Sequence, residues 1–252
     1  MIIGHNYFQS SESDSLFAYV RVNDMHSSPG SWSAMAALWG ITGDSPGPRP
    51  RYHVVEVARA GIRVADRHGL PAVTLQVVAK ELGLTTTALY RYVDSKETLV
   101  EVMADVALGA APQLTGSLAD LIRTWCRARW QVLRAHPWLA EVAPRTTPRG
   151  PDGIAWTECL VAGLAEAGVG DPLGIARLLA VLVHGHAGGD EIPTDPPTWW
   201  AATVDRTAPR TTGLLQERTS GPEDDLGAAV ERIIASLVIE SAYGVRPPTA
   251  RP

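Results

Sequence analysis

Two lysines, two cysteines, two phenylalanines and four methionines are the scarcities of this 252-residue chain. No uninterrupted apolar run reaches the ~18 residues that a membrane-spanning helix needs, and the N-terminus lacks the charged-then-apolar order of a secretory signal. The expectation is a soluble, cytoplasmic protein. Cys126 and Cys159 stand far apart, each inside a helical apolar pattern. That spacing excludes a disulfide framework and a zinc motif, and reads as two buried thiols. No internal repeat and no convincing strand pattern occurs, which leaves an all-α chain. With 45% hydrophobic content there is enough to bury one or two cores, and the length suggests two unequal parts.

Positive charge, carried almost wholly by arginine, is unevenly placed. Net charge is −5, yet residues 49–100 hold eight Lys/Arg against five acids, so the other 200 residues sum to −8. A basic module joined to an acidic body has the charge asymmetry of a nucleic-acid binder that uses one face. Residues 1–50, rich in Ser, Gly and Pro and ending in "GDSPGPRPR", read as a flexible arm. Within it "MAALWG" is the one stretch suited to packing, and Met35 would serve as an alternative start.

From His53 the pattern changes. Val54, Val57, Ala58, Ile62 and Ala65 recur at helical spacing, and "HGLP" supplies a glycine stop with proline just beyond. Thr74 suits the N-cap of a second helix through Val77, Val78 and Leu82, which Gly83 ends. Thr85 can cap a third helix running to Tyr92, and Asp94 or Ser95 a fourth. Two short helices joined by a glycine turn make a helix-turn-helix, in which the second helix enters the major groove. Its inward side is thin, with Ala88, Leu89 and Val93 attaching it and Thr86, Thr87, Tyr90 and Arg91 left outward. Threonine offers base edges or phosphates a hydroxyl and a methyl, and Lys96 near a helix start suits a phosphate. A short Thr-capped helix can also be plain structure.

"VTLQVVAKELGLTTTALYRYVDSKETLVEVM", residues 73–103, resembles the signature of the tetracycline-repressor (TetR/AcrR) family of bacterial transcription regulators. The matching pieces are Thr74 opening the second helix, "VAKELGL" with Ala79 and Gly83, and "ALYRYVDSKETL". Beyond Val106 the likeness is architectural, apart from "AHPWLAEV". The resemblance implies that Thr86, Thr87, Tyr90 and Tyr92 face an operator in double-stranded DNA, that Gln76 reaches a base or phosphate, and that Lys96 holds the backbone. With the spacing argument, the DNA-binding set comprises Thr74, Gln76, Thr85, Thr86, Thr87, Tyr90, Arg91, Tyr92 and Lys96. The threonine run and Arg91 depart from the family's usual residues, so operator sequence does not carry over.

The fold expected is therefore a helix-turn-helix domain at 51–97 preceded by the arm, then a larger helical effector-binding and dimerisation domain at 98–246, with a flexible tail at 247–252. The resemblance implies a homodimer through two late helices. The most aliphatic stripes supply Ile175, Leu178, Leu179, Leu182 and His186 on one helix and Val230, Ile233, Ile234 and Leu237 on another, although both stripes could lie inside one monomer. An effector pocket would involve Trp125, Arg129, Trp130, Trp138, Trp156 and His184. Eight tryptophans suit either a flat ligand or core filling. Arg129, beside an apolar stripe, needs a carboxylate from protein or ligand.

"LVHGHAGGDE" raises a rival, a small metal-dependent helical enzyme using His184, His186, Asp190 and Glu191. On a helix the two histidines point about 200° apart and cannot chelate together. The reading adopted is a non-enzymatic, ligand-responsive DNA-binding regulator, in the main a repressor, with no cofactor or metal.

Overall fold

The structure, a computed structural model, describes residues 29–41, 51–142, 148–188, 198–208, 210 and 221–243. These residues form ten α-helices and no strand. In chain order they are α1 (Pro29–Leu38), α2 (Val54–His68), α3 (Leu75–Glu81), α4 (Thr86–Leu89), α5 (Lys96–Leu108), α6 (Leu118–Ala135), α7 (Pro151–Glu166), α8 (Pro172–Ala187), α9 (Thr198–Thr207) and α10 (Pro222–Tyr243).

Helix starts follow local hydrogen bonding. Thr74 Oγ1 accepts from Val77 N, Thr85 Oγ1 from Ala88 N, and Ser95 Oγ from Thr98 N, at 3.0 to 3.2 Å. Ser95 rather than Asp94 therefore opens α5. Each cap satisfies a backbone donor that has no partner inside the helix, a contribution of about 1 kcal/mol. The turn between α3 and α4 depends on Gly83, whose φ of 65° lies in the region glycine tolerates best.

Packing joins α2, α3, α4 and α5 at the N-terminal end. Val57, Val78, Leu89, Val93, Leu99 and Met103 are almost wholly buried there. Gly61 permits close approach of α2 to α5, since a Cβ at that position would lie 2.5 Å from Met103 Sδ. Helices α6, α7, α8 and α10 pack into the larger C-terminal body around Ile122, Leu160, Leu164, Leu179 and Val183. The boundary expected after residue 97 falls inside α5, which is continuous and also packs on α7. Trp138 Nε1 donates to Asp66 Oδ1 at 2.8 Å, tying the turn after α6 back to α2.

Part of the expected arm is a correction. The helix α1 lies within it and packs on α2 and α5, with Ala34 and Met35 fully buried. Trp39 Nε1 donates to the Arg149 carbonyl at 2.9 Å. The surrounding Ser, Gly and Pro diluted a short apolar face whose partner surface lies more than sixty residues away on α5. Residues 1–28, 42–50 and 247–252 lie outside the described residues. The Pro- and Gly-rich region before α10 contributes α9, on which Trp199 and Trp200 are exposed.

Candidate functional site

The helix-turn-helix presents a narrow polar face. Thr74, Gln76, Thr85, Thr87, Tyr90 and Arg91 are exposed, and Thr86 and Lys96 are half-buried. Leu89 and Val93 pin this face from below, both almost fully buried. Tyr90, at 54% exposed, is a large aromatic with no packing reason to face outward. The threonines divide. Thr74 and Thr85 engage their hydroxyls as caps, whereas Thr86 and Thr87 occupy the first turn of α4 with no cap to make. Helix α4 is shorter than the spacing predicts, because its chain leaves regular helix after Leu89 and continues as a turn through Tyr92. That turn carries Tyr92 inward. Its hydroxyl accepts the Tyr52 N–H at 3.2 Å, and its ring packs against the core, so it braces the entry to α2 and does not point outward with Tyr90.

A cavity of about 590 Å³ opens between α5, α6, α7 and α8. Trp125, Leu133, Leu139, Val142 and Ala180 give it apolar walls, and Arg129, His184 and Thr157 place polar groups among them. Of the six residues expected to form a pocket, Trp125, Arg129 and His184 line this cavity. Trp130, Trp138 and Trp156 do not. They are core or tie residues: Trp156 Nε1 donates to the Gly109 carbonyl at 2.9 Å, and Trp156's own carbonyl accepts Trp125 Nε1 at 2.8 Å. The indole donors of Trp138 and Trp156 are engaged by the protein, which orients those rings as packing elements, and Trp130 is buried in the core.

Sequence reasoning missed the contribution of α5. Glu97, Glu101 and Asp105 repeat every four residues and bring three carboxylates to the cavity. Glu101 pairs with Arg149, whose guanidinium carbon also lies 5.2 Å from the Trp32 ring centroid. Asp105 accepts the Gly153 and Asp152 N–H groups at 2.8 and 3.3 Å, holding the start of α7. Burial raises its pKa to about 6, against those two hydrogen bonds. The i, i+4, i+8 spacing was readable, but a charged stripe on a helix ordinarily faces water.

The histidines serve neighbouring carbonyls. His184 Nε2 lies 3.1 Å from the Ala140 carbonyl, and His186 Nδ1 lies 2.8 Å from Leu182's. Desolvation, then the charge of Arg129, lowers the His184 pKa. Among the described residues no three metal-ligand side chains converge, and Asp190 and Glu191 lie outside them. Cys126 is a buried thiol pushed up to about 12 by burial, and Cys159 is half-buried.

The stripes expected at a dimer interface separate. Leu179, Val230, Ile234 and Leu237 are buried within the monomer, so their side chains are core. Ile175, Leu182, His186 and Ile233 are half-buried, and Leu178 stands 51% exposed with Val238 nearby in exposure on α10. An amphipathic helix inside a bundle has two neighbours to satisfy, and periodicity alone does not divide its apolar residues between them.

A helix-turn-helix with an exposed polar recognition face, carried by a helical body that holds a mixed apolar and polar cavity, defines a DNA-binding regulator. Residues 58–103 match the model for bacterial regulatory proteins of the tetR family, and residues 111–211 match that for the tetracyclin repressor-like C-terminal domain. The chain belongs to the tetR family, whose members are non-enzymatic transcription regulators. It is 27% identical over 228 residues to the HTH-type transcriptional repressor DrrR1 of Streptomyces coeruleorubidus, covering 80% of this chain and 83% of that one. Its fold is similar to apo ActR from Streptomyces coelicolor, with a TM-score of 0.63, 22% identity, and coverage of 79% of this chain and all of that one. ActR in complex with actinorhodin matches with a TM-score of 0.58 and 20% identity over 75% of this chain and 97% of that one. Among the described residues no helix is long and apolar enough to cross a membrane.

Proposed function

We propose that this regulator is a cytoplasmic homodimeric repressor that leaves its operator when a small molecule enters the cavity. The observation that carries the reading is the course of α5. Its first residue, Lys96, follows the recognition helix by a short turn, and its later turns carry Glu97, Val100, Glu101, Ala104 and Asp105 along the cavity wall. A ligand that displaces α5 thereby changes the placement of α4. Release follows when the ligand binds the conformer with α5 displaced better than the DNA-bound one, by population shift.

In this reading residues 51–97 bind DNA and residues 98–246 bind effector and partner. Thr86, Thr87, Tyr90 and Arg91 meet the groove, Gln76 and Lys96 hold phosphates, and Thr74 and Thr85 set the helix starts against the backbone. Trp125, Arg129 and His184 meet the effector. Leu178 and Val238, exposed apolar residues on the two helices whose inner faces are already packed, belong to the subunit contact. Two recognition helices about one DNA turn apart then read a two-fold operator.

The test is a gel shift on the DNA upstream of the chain's own gene, repeated at rising salt. Saturable binding that weakens steeply with salt is expected. Absence of saturable, salt-sensitive binding would sink the reading.

A further inference from the structure

Resting on the proposed effector reading, the cavity itself indicates what kind of molecule that effector is. Arg129 lies one turn beyond Trp125 on α6, with its guanidinium carbon 5.5 Å from the Trp125 ring centroid. Its Nε is closed off from solvent and has no hydrogen-bond acceptor among the described residues. An indole face attracts the cation but accepts no directed N–H bond. Burial pushes the Arg129 pKa down, yet an arginine does not surrender its proton in a protein. A guanidinium so placed lacks one component, an anion with an oxygen to receive the fork.

Two of the cavity's three carboxylates are committed elsewhere, and the third, Glu97, is exposed in the first turn of α5. Glu101 is held by Arg149, and Asp105 by the backbone at the start of α7. His184 contributes no negative charge, and with Nε2 donating to Ala140 its neutral ring offers Nδ1 only as an acceptor. Beside the guanidinium stands the Trp125 indole, and Leu133, Leu139 and Val142 are further apolar walls of the same cavity. A long, strongly hydrated anion would leave these walls uncovered.

We infer that the effector is a flat aromatic acid, its carboxylate or acidic phenolate oxygen bound by Arg129 and its rings laid against the Trp125 side of the cavity. The charge selects, and the apolar walls supply the remaining affinity.

Tryptophan-quenching titrations of the full chain test this with anthracene-2-carboxylate, its neutral analogue anthracene-2-carboxamide, and alizarin as an acidic phenol. Wild type should favour an anionic probe over the amide by about tenfold or more. A preference for anthracene-2-carboxylate assigns the carboxylate, and one for alizarin the phenolate. Arg129→Met should erase the preference and leave the amide's affinity in place. Should Arg129→Met fail to fold, Arg129→Lys keeps the charge without the planar fork and should weaken the preference. The inference is overturned if wild type binds the amide as tightly as both anions, if no probe binds, or if the preference survives in Arg129→Met. Because these titrations need no DNA, a chain that discriminates the probes but gives no gel shift overturns the regulator reading and leaves the anion assignment standing.

Discussion

Tyr90 and Lys96 contribute little to folding and much to the proposed contact with DNA. Tyr90 lies exposed on a helix held by Leu89 and Val93 beneath it, so Tyr90→Ala should leave thermal stability within about 0.5 kcal/mol. Operator affinity should fall by about 1 to 2 kcal/mol, roughly five- to thirtyfold, in a fluorescence anisotropy titration. Lys96→Ala should weaken binding to all sequences alike and reduce the slope of log affinity against log salt by about 1. Unchanged affinity in both variants would remove this face from the interface. Asp105 gives a pH prediction at the same scale. Its folded pKa is raised from the ordinary range to about 6 by burial, so the folded chain keeps a proton that the unfolded chain releases near pH 4. Stability associated with this group is fully present below about pH 4 and lost as pH rises to 6 and above, a fall of about 3 kcal/mol at most. Urea denaturation between pH 4.5 and 7 should show that component in wild type and lack it in Asp105→Asn. The exposed Glu81, Asp120 and Glu231 have lowered pKa values and oppose it below pH 4, weakly and in a salt-screened way.

Among the elements, α5 carries the most consequence, because it meets α1 and α2 on one side and the cavity on the other. Its seating on α2 requires the missing side chain of Gly61. Gly61→Ala should cost about 1 to 3 kcal/mol in chemical denaturation, since Met103 is fully buried and cannot move aside freely. If the cost is absent, α2 and α5 are less closely apposed than the structure shows. Helix α1 illustrates how far local patterning reaches. "MAALWG" was identifiable as a packing stretch, yet nothing within ten residues of it indicated its partners, which are Arg149 and the α2 and α5 surfaces. Helix α4 shows the opposite limit. Its cap and its inward leucine are legible in "TTTALYRYV", but four residues of helix followed by a turn, with Tyr92 swung inward, go with a contact from forty residues away, where the Tyr52 N–H donates to the Tyr92 hydroxyl.

At the scale of the whole molecule, symmetry is what the monomer lacks. Leu178 and Val238 leave apolar area exposed on α8 and α10, a surface that a second copy would cover. Leu178→Glu should leave the monomer folded, shift sedimentation toward the monomer with at least a roughly tenfold weaker dimer, and reduce operator affinity in parallel. Sedimentation identical to wild type would place the contact elsewhere.

Helical class, the caps at Thr74 and Thr85, the glycine turn and the polar face of the recognition helix are legible in the order of residues alone. All of these rest on interactions within a few residues, where spacing and residue type are the physics. Tertiary structure alone decided which tryptophan walls a cavity and which fills a core, and which residues of an aliphatic stripe remain exposed. It also decided that the half-buried Arg129 sits beside Trp125 with its Nε shut off from solvent and without an acceptor. These outcomes depend on which distant surface arrives opposite a side chain, and a buried group's partner, or lack of one, is a property of that meeting.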